Sequence, residues 1–419
     1  MATSRDGNFQ PARVRESGRS LAIVAPGDTG ADALGSGWRV VDGVPTAWFE
    51  APSLSAAAEL AGRVLDLAVK SAVELRPSGL RVRLESDGKC EAISEAAAGL
   101  GLSSDPAVLQ HVGLVIESPK PSAVRPFWRR TLGYLITDEG LGDPLCRDPS
   151  LSLRESSDPR PLRNRIHLDV VRPGPEIKQA GFGPGGGPYG VLQVDADGNE
   201  VDLVPGDPLG DSEATADWQN VFSAIACYRT TSRAQQRSLA QAVAALADEA
   251  GFPLLVDLRP GLVVLDSGKD QWDADAHGLD LDFLELAARL QAAAHKLGAT
   301  PDTRLPRYVQ LFLDAADVEA LKAFWSRALG YVPDRRENVG DILDPRRLEP
   351  VLVFQQIDTS ETERLAQRNR VHVEVGVPAD LAAGRVSDLV EAGGQVLEEQ
   401  AGRWLVADPE GNELAVVAG

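Results

Sequence analysis

The residues best suited to chemistry in this sequence are a few histidines and carboxylates on segments that alternate apolar and polar residues. His167 lies in RNRIHLDV, and His372 lies in the similar segment RNRVHVEV. Glu200 and Asp202 are two residues apart, so both side chains face the same side of a strand. Imidazoles and carboxylates bind divalent metals and move protons. The competing interpretation is structural, because a strand histidine between apolar neighbours is often a hydrogen-bonded core residue.

These segments belong to an internal duplication. FWRRTLGY at 127–134 recurs as FWSRALGY at 324–331, and DADGNEVDLV at 195–204 recurs as DPEGNELAVV at 408–417. Three motifs that recur in the same order indicate a doubled unit. Fainter pairs upstream, each an Ala-rich helical stretch followed by an alternating strand, extend the repeat to A–B–A′–B′. The modules are predicted at 18–105, 106–208, 212–300 and 303–419.

Local signals predict an α+β fold for every module. In the first A module Leu60, Val64 and Leu67 form one apolar stripe of a helix, and Gly251 is suited to end the matching helix of the second copy. A helix is also predicted over 277–290, with apolar residues along one side. In each B module an alternating strand precedes the helix that carries the FW pair, whose Trp is predicted to pack in the core.

This element order and the motifs FWxxxLGY, NRxHx[D/E] and DPEGNE resemble the vicinal oxygen chelate superfamily, and most of all its glyoxalase-like, bleomycin-resistance-like branch. The resemblance implies paired βαβββ units whose sheet curls around a concave site. Members include metal-dependent isomerases, lyases and dioxygenases. Other members bind a drug or a small metabolite without a metal.

The resemblance implies metal ligands on the first, fourth, fifth and eighth strands of a module. In the first B module these positions are His111, Arg154 (or its neighbour Glu155), His167 and Asp202. His111, His167 and Asp202 would hold a divalent metal there, with Glu200 as a candidate catalytic base. Arginine cannot ligate, and its fixed charge opposes a metal.

In the second B module the matching positions are Tyr308, Gln355, His372 and Ala415. This set has lost its carboxylate, so no metal is expected in that module. A cleft in each B module would instead bind a small molecule. The expected ligand-binding residues are Arg154, Glu200, Tyr308, Gln355, His372 and Glu413.

The A modules are similar to pterin-4a-carbinolamine dehydratases, an α+β family whose His-His-Pro turn and a further His move protons. Arg76 and Arg259 occupy the turn positions, so both copies lack those histidines, and His277 alone cannot complete the set. We therefore expect the A modules to be a scaffold that pairs within the chain. The two arginines are expected to be solvated loop residues, with a grip on an anionic ligand as the alternative.

The amino-acid composition limits the classes of partner that we expect this protein to bind. The chain has 62 acidic and 42 basic residues and a net charge of -20, and it has no run of Lys/Arg, which argues against nucleic acid and membrane surfaces as partners. No stretch reaches the ~18 apolar residues of a membrane span. Three cysteines form no CxxC pair, so neither a zinc knuckle nor a disulfide framework is indicated. A cytoplasmic protein is expected, with a homodimer as one alternative.

These observations favour a small-molecule-binding glyoxalase-like protein that has no cofactor and uses the A modules as scaffold. One alternative is a metal-dependent lyase, isomerase or dioxygenase that uses His111, His167 and Asp202. Another is a lyase of the 4a-hydroxytetrahydrobiopterin dehydratase type. A purely structural or interaction protein is the remaining class.

Overall fold

The computed structural model describes residues 34–68, 70–138 and 140–419, and it confirms a mixed α+β fold. The strands are β1 (Trp38–Val41), β2 (Val44–Glu50), β3 (Ser71–Arg76), β4 (Gly79–Leu84), β5 (His111–Ser118), β6 (Leu135–Ile136), β7 (Gly140–Gly142), β8 (Leu151–Glu155), β9 (Ile166–Pro173), β10 (Leu192–Val194), β11 (Glu200–Pro208), β12 (Gln219–Asn220), β13 (Ala224–Arg229), β14 (Leu255–Arg259), β15 (Leu262–Asp266), β16 (Thr300–Pro301), β17 (Tyr308–Ala315), β18 (Val332–Pro333), β19 (Ile342–Leu343), β20 (Leu352–Gln356), β21 (Val371–Val377), β22 (Gln395–Gln400), β23 (Arg403–Ala407) and β24 (Glu413–Ala418).

The α-helices are α1 (Leu54–Leu67), α2 (Cys90–Ala98), α3 (Pro121–Leu132), α4 (Gly174–Ala180), α5 (Arg233–Ala250), α6 (Ala274–His277), α7 (Phe283–Lys296), α8 (Val318–Leu329), α9 (Thr362–Ala366) and α10 (Ala382–Glu391). Among the described residues, no helix has the length and apolar character to cross a membrane.

The two A segments share one sheet. Their strands follow the order β1-β2-β4-β3-β14-β15-β13, and β3 pairs antiparallel with β14 at the seam between the copies. Helices α1 and α5 pack against this sheet because their apolar stripes, including Leu60 and Leu239, are fully buried. Gly251 ends α5 in the left-handed conformation, as predicted. The helix predicted over 277–290 is instead two helices, since Gly278 turns left-handed and Asp282 caps a new start.

The two B segments exchange halves. Strand β5 of the first copy pairs antiparallel with β21 of the second, and β9 pairs with β17 in the same manner. We call β5–β8 with β21–β24 sheet 1, and β9–β11 with β17–β20 sheet 2. Sheet 2 continues into the A sheet through β12. Each of the two sheets therefore contains one half of each B copy.

Both sheets bury one face in a common core. Alternate residues such as Leu168 and Leu311 pack there with α3, α8 and α10. Trp128 and Trp325 of the FW motifs are buried in the same core, and each indole Nε1 donates a hydrogen bond to an aspartate of the DxxGN hairpin, Asp195 at 2.8 Å or Asp408 at 2.9 Å. The opposite faces of the two sheets carry the polar side chains of the alternating pattern.

Repeated asparagines fasten the exchanged halves together. The side-chain oxygen of Asn164 accepts a hydrogen bond from the Arg370 backbone N–H at 2.8 Å. The Asn369 side chain does the same for the Arg165 backbone at 2.8 Å. Both asparagines are buried and connect one copy to the other. The NR dipeptide of both motifs thus has a structural role at the junction of the copies.

Candidate functional site

The polar face of sheet 2, which we call site 2, contains a compact group of metal-binding side chains. His167 and Asp169 lie two residues apart on β9, and Asp202 lies beside Asp169 in the register of β11. One ligand atom from each of the three lies within 4.8 Å of the other two. On the other side of β9, Gln310 of β17 donates its amide N–H to Asp169 at 3.0 Å.

Burial sets the charge of this group. It lowers the pKa of His167 to about 4, so the imidazole is neutral at pH 7. It raises the pKa of Asp169 to about 7, although the hydrogen bond from Gln310 opposes this shift. The pKa of Asp202 is also raised, first by burial and then by the nearby charge of Glu200. The His167 ring stacks on Phe312 with centroids 5.0 Å apart, which fixes its orientation.

Several buried polar atoms of site 2 have no hydrogen-bond partner in the described part of the chain. They are His167 Nδ1, Asp169 Oδ1, Gln310 Oε1 and Asp314 Oδ1. His167 Nε2 lies 4.0 Å from Asp169 Oδ1, which is too far for a hydrogen bond. Leaving such groups unpaired is costly, so the arrangement favours a ligand atom between them.

On the polar face of sheet 1, which we call site 1, the central carboxylate has a charged partner. Glu374 occupies the position that Asp169 has in site 2, and its carboxylate meets Arg154 at 2.7 Å. His372 is 2 % exposed, and neither ring nitrogen has a partner among the described residues. Burial lowers the pKa of His372 to about 3, so this imidazole is also neutral. Neither His372 nor His167 is thus the fully hydrogen-bonded core histidine of the structural interpretation.

The metal set predicted from the sequence is divided between the two sites. His167 and Asp202 lie in site 2, whereas His111 lies in sheet 1, where its Nε2 contacts Ser150 at 3.3 Å. The expectation of one cleft within each B copy was therefore wrong, because the halves exchange. Asp169 was missed, although its spacing of two from His167 already places it on the same strand face.

The remaining predicted residues lie near the ends of both sites. Glu200 is paired with Arg163, and Glu413 is paired with Arg368 at 2.8 Å, so neither carboxylate is an unpaired base. Tyr308 packs on Phe222 at the end of site 2 next to the A sheet. The exposed Gln355 lies at the other end beside Asp314, and the alternative residue Glu155 is exposed at the end of β8.

The arginines at the dehydratase-like turn positions are buried. Arg76 pairs with Asp257 at 2.8 Å, and Arg259 pairs with Glu74 at 2.6 Å. Glu74 and Asp257 stand opposite each other where β3 meets β14, so each arginine crosses the seam to the other copy's carboxylate. The expectation of solvated loop arginines was wrong, because that seam is covered. His277 accepts a hydrogen bond from the Leu279 backbone N–H at 3.0 Å.

Comparison with known proteins identifies part of the chain. Residues 310–417 match the family model described as Glyoxalase-like domain. This segment is a glyoxalase-like domain. It supplies β17–β20 to sheet 2 and β21–β24 to sheet 1, so the domain contributes to both sites. The dehydratase-like interpretation of the A segments, the tandem arrangement and the metal site stay predictions.

Several solved structures have low similarity to this chain. The hypothetical protein SA1046 from S. aureus is 19% identical, with 26% of this chain and 90% of that chain covered and a TM-score of 0.21. A glyoxalase I mutant from Zea mays is 12% identical, with 75% and 95% covered and a TM-score of 0.35. A glyoxalase/bleomycin resistance protein/dioxygenase family enzyme from Burkholderia phytofirmans PsJN is 16% identical, with 25% and 92% covered and a TM-score of 0.19. The search of curated proteins gave no match.

Proposed function

We propose that this chain is a glyoxalase-like small-molecule-binding protein whose ligand occupies site 2 and whose A segments act as scaffold. The observation that carries the proposal is the set of unpartnered buried polar atoms at His167, Asp169, Gln310 and Asp314. Folding leaves such atoms unpaired only at a cost of about 1–3 kcal/mol each. A bound ligand that pairs with them recovers part of this free energy.

The scaffold role rests on contacts between the A segments and sheet 2. Val171 and Val204, at one end of site 2, belong to the same apolar cluster as Ile225 and Cys227 of β13. The A sheet therefore packs against that end of the site, next to Tyr308 of β17. Arg76 and Arg259 are held in buried ion pairs at the seam between β3 and β14, so neither side chain is available for dehydratase chemistry. We expect no turnover of a pterin carbinolamine.

A thermal-shift screen against small metabolites tests the proposal. A ligand at 100 times its Kd stabilises the folded chain by about 2.7 kcal/mol, which raises Tm measurably. We expect Asp202→Asn to abolish the shift and the site 1 variant Glu374→Gln to keep it. Binding that survives Asp202→Asn and disappears in Glu374→Gln would place the ligand in site 1 and contradict the proposal.

A metal-dependent lyase, isomerase or dioxygenase is the second candidate, and the proximity of His167, Asp169 and Asp202 favours it. One neutral imidazole and two carboxylates are a suitable set for a divalent metal with open coordination positions. A metal bound there would supply Lewis-acid chemistry, and the three side chains would hold it. Elemental analysis of the purified protein and equilibrium dialysis with Zn²⁺, Mn²⁺ and Fe²⁺ test this candidate. Absence of stoichiometric metal under both conditions excludes it.

A further inference from the structure

The two polar faces offer an internal comparison, because they carry equivalent carboxylates in different charge environments. Glu374 lies between Gly113 and Ala415 in the registers of sheet 1. Asp169 lies between Gln310 and Asp202 in the same registers of sheet 2. Site 2 therefore has a second carboxylate, Asp202, where site 1 has alanine.

In site 1 the protein supplies its own counter-cations. The Arg154 guanidinium lies 2.7 Å from the Glu374 carboxylate, and that of Arg403 lies 3.7 Å away. Arg154 stands beside Glu117 in the register of β5 with β8. The equivalent position in site 2, beside Asp314, is Gln355. The guanidinium that neutralises the site 1 carboxylate is thus replaced by a neutral amide.

Other cations near site 2 are bound to other carboxylates. Arg163 pairs with Glu200, Arg364 with Asp314 and Lys269 with Asp341. In the described ranges no Lys or Arg forms an ion pair with Asp169 or Asp202. Asp169 is 6 % exposed and its Oδ1 is unpartnered, as is Oε1 of Gln310, which is 3 % exposed. Both of these atoms are hydrogen-bond acceptors.

We propose that the ligand of site 2 carries an ammonium or guanidinium group that takes the place of the Arg154 guanidinium and donates hydrogen bonds to Asp169 and Asp202. This inference rests on the proposed small-molecule function and specifies its ligand class. A cation with several N–H donors satisfies two carboxylates and the Gln310 oxygen at once. One ligand per chain is expected, because Glu374 in site 1 is already neutralised.

A tethered cation tests this inference without knowledge of the natural ligand. Gln355→Arg places a guanidinium at the position equivalent to Arg154, and Gln355→Met is the neutral control of similar length. We expect Gln355→Arg to raise Tm by at least about 2 °C over Gln355→Met at low salt, and the difference to shrink as salt screens the pair. Equal melting temperatures for the two variants would overturn the inference.

Small probes test the free site of the wild-type chain. Butylguanidinium and butylammonium are compared with neutral butylurea and anionic pentanoate by isothermal calorimetry at low salt. We expect saturable binding of the cations at one per chain, at least ten-fold tighter than that of butylurea, and its loss in Gln355→Arg and Asp202→Asn.

The outcomes separate this inference from the proposed function. If a neutral or anionic metabolite binds site 2 and the cationic probes do not, the function stands and the charge inference fails. A site 2 filled by stoichiometric divalent metal, with no binding of the organic cations, also overturns the inference. If no small molecule of any charge shifts Tm, both fail.

Discussion

Replacement of Asp257 by asparagine tests whether the A segments are held together by their buried charges. The Asp257 side chain is 2% exposed, and its carboxylate accepts hydrogen bonds from Arg76 and Arg147. Burial opposes its ionisation, but Arg76, Arg147 and Arg259 outweigh burial and hold its pKa well below the ordinary value. Asp257→Asn keeps the shape and removes the charge, so the arginines lose a buried partner at the seam.

The expected cost follows from this geometry. Removing one partner of a buried ion pair costs about 3–5 kcal/mol, because the remaining charge stays in a low-dielectric environment. That is a large part of the ~5–15 kcal/mol that stabilises a typical folded protein. Urea unfolding, followed by tryptophan fluorescence and circular dichroism, measures the loss in free energy of unfolding.

An exposed ion pair provides the control. Glu249 pairs with Arg289 at 2.9 Å, but their side chains are 67% and 46% exposed. Glu249→Gln should therefore cost less than about 1 kcal/mol. A loss below about 1 kcal/mol for Asp257→Asn as well would refute the view that the seam charges hold the scaffold together.

Three further expectations follow from single positions. The folded-state pKa of His372 is about 3 and its ordinary value is 6.5, so the free energy of unfolding should decrease as pH falls below 6.5, by up to about 1.4 kcal/mol per pH unit. His372→Gln should make this decrease shallower. An unchanged slope in urea titrations at several pH values would argue against a buried neutral His372. Gly140→Ala should lower the free energy of unfolding by about 1–3 kcal/mol, because its Cβ would lie 2.2 Å from a backbone carbonyl oxygen. In the control Gly88→Ala the new Cβ would have nothing within 4 Å, so the free energy of unfolding should change by less than about 0.5 kcal/mol. Similar losses for both variants would contradict the close packing at Gly140. Asn369→Ala should cost about 2–4 kcal/mol by removing two buried hydrogen bonds, one to the Arg165 backbone of the other copy and one to Asn412 of its own copy, and a loss under about 0.5 kcal/mol by thermal unfolding would contradict that role.

Local features of the fold could be predicted because their causes are local. The apolar spacing of α1 and α5 was sufficient to place their buried faces, and Gly251 and Gly330 end helices in the left-handed conformation that glycine favours. Asp317, directly before the apolar stripe of α8, caps this helix with its side chain. Each of these signals lies within a few residues of its effect.

The partner of each strand could not be predicted, because the duplicated sequences are interchangeable at this level. RNRIHLDV and RNRVHVEV have the same alternation, so β5 could pair equally well with β9 of its own copy or with β21 of the other. Hydrophobic pattern specifies which face a strand buries and leaves open which copy supplies its neighbour. For the same reason the sequence did not predict that β3 pairs with β14. Only this pairing brings Arg76 and Arg259 next to carboxylates of the other copy.

Exchange of the halves changes how the two sites must be evaluated. Within one copy, Arg154 seemed to oppose a cation near Asp202, yet the two residues lie in different sheets. Site 2 therefore combines an imidazole with two carboxylates, and the neighbouring arginines that the structure describes are already paired with other carboxylates. Site 1 keeps Arg154 and has Ala415 where site 2 has its second carboxylate. Because each sheet takes one half from each copy, the two halves of a single copy contribute to different sites. Duplication could thus produce one site that neutralises itself and one whose negative charge needs a partner from outside the chain.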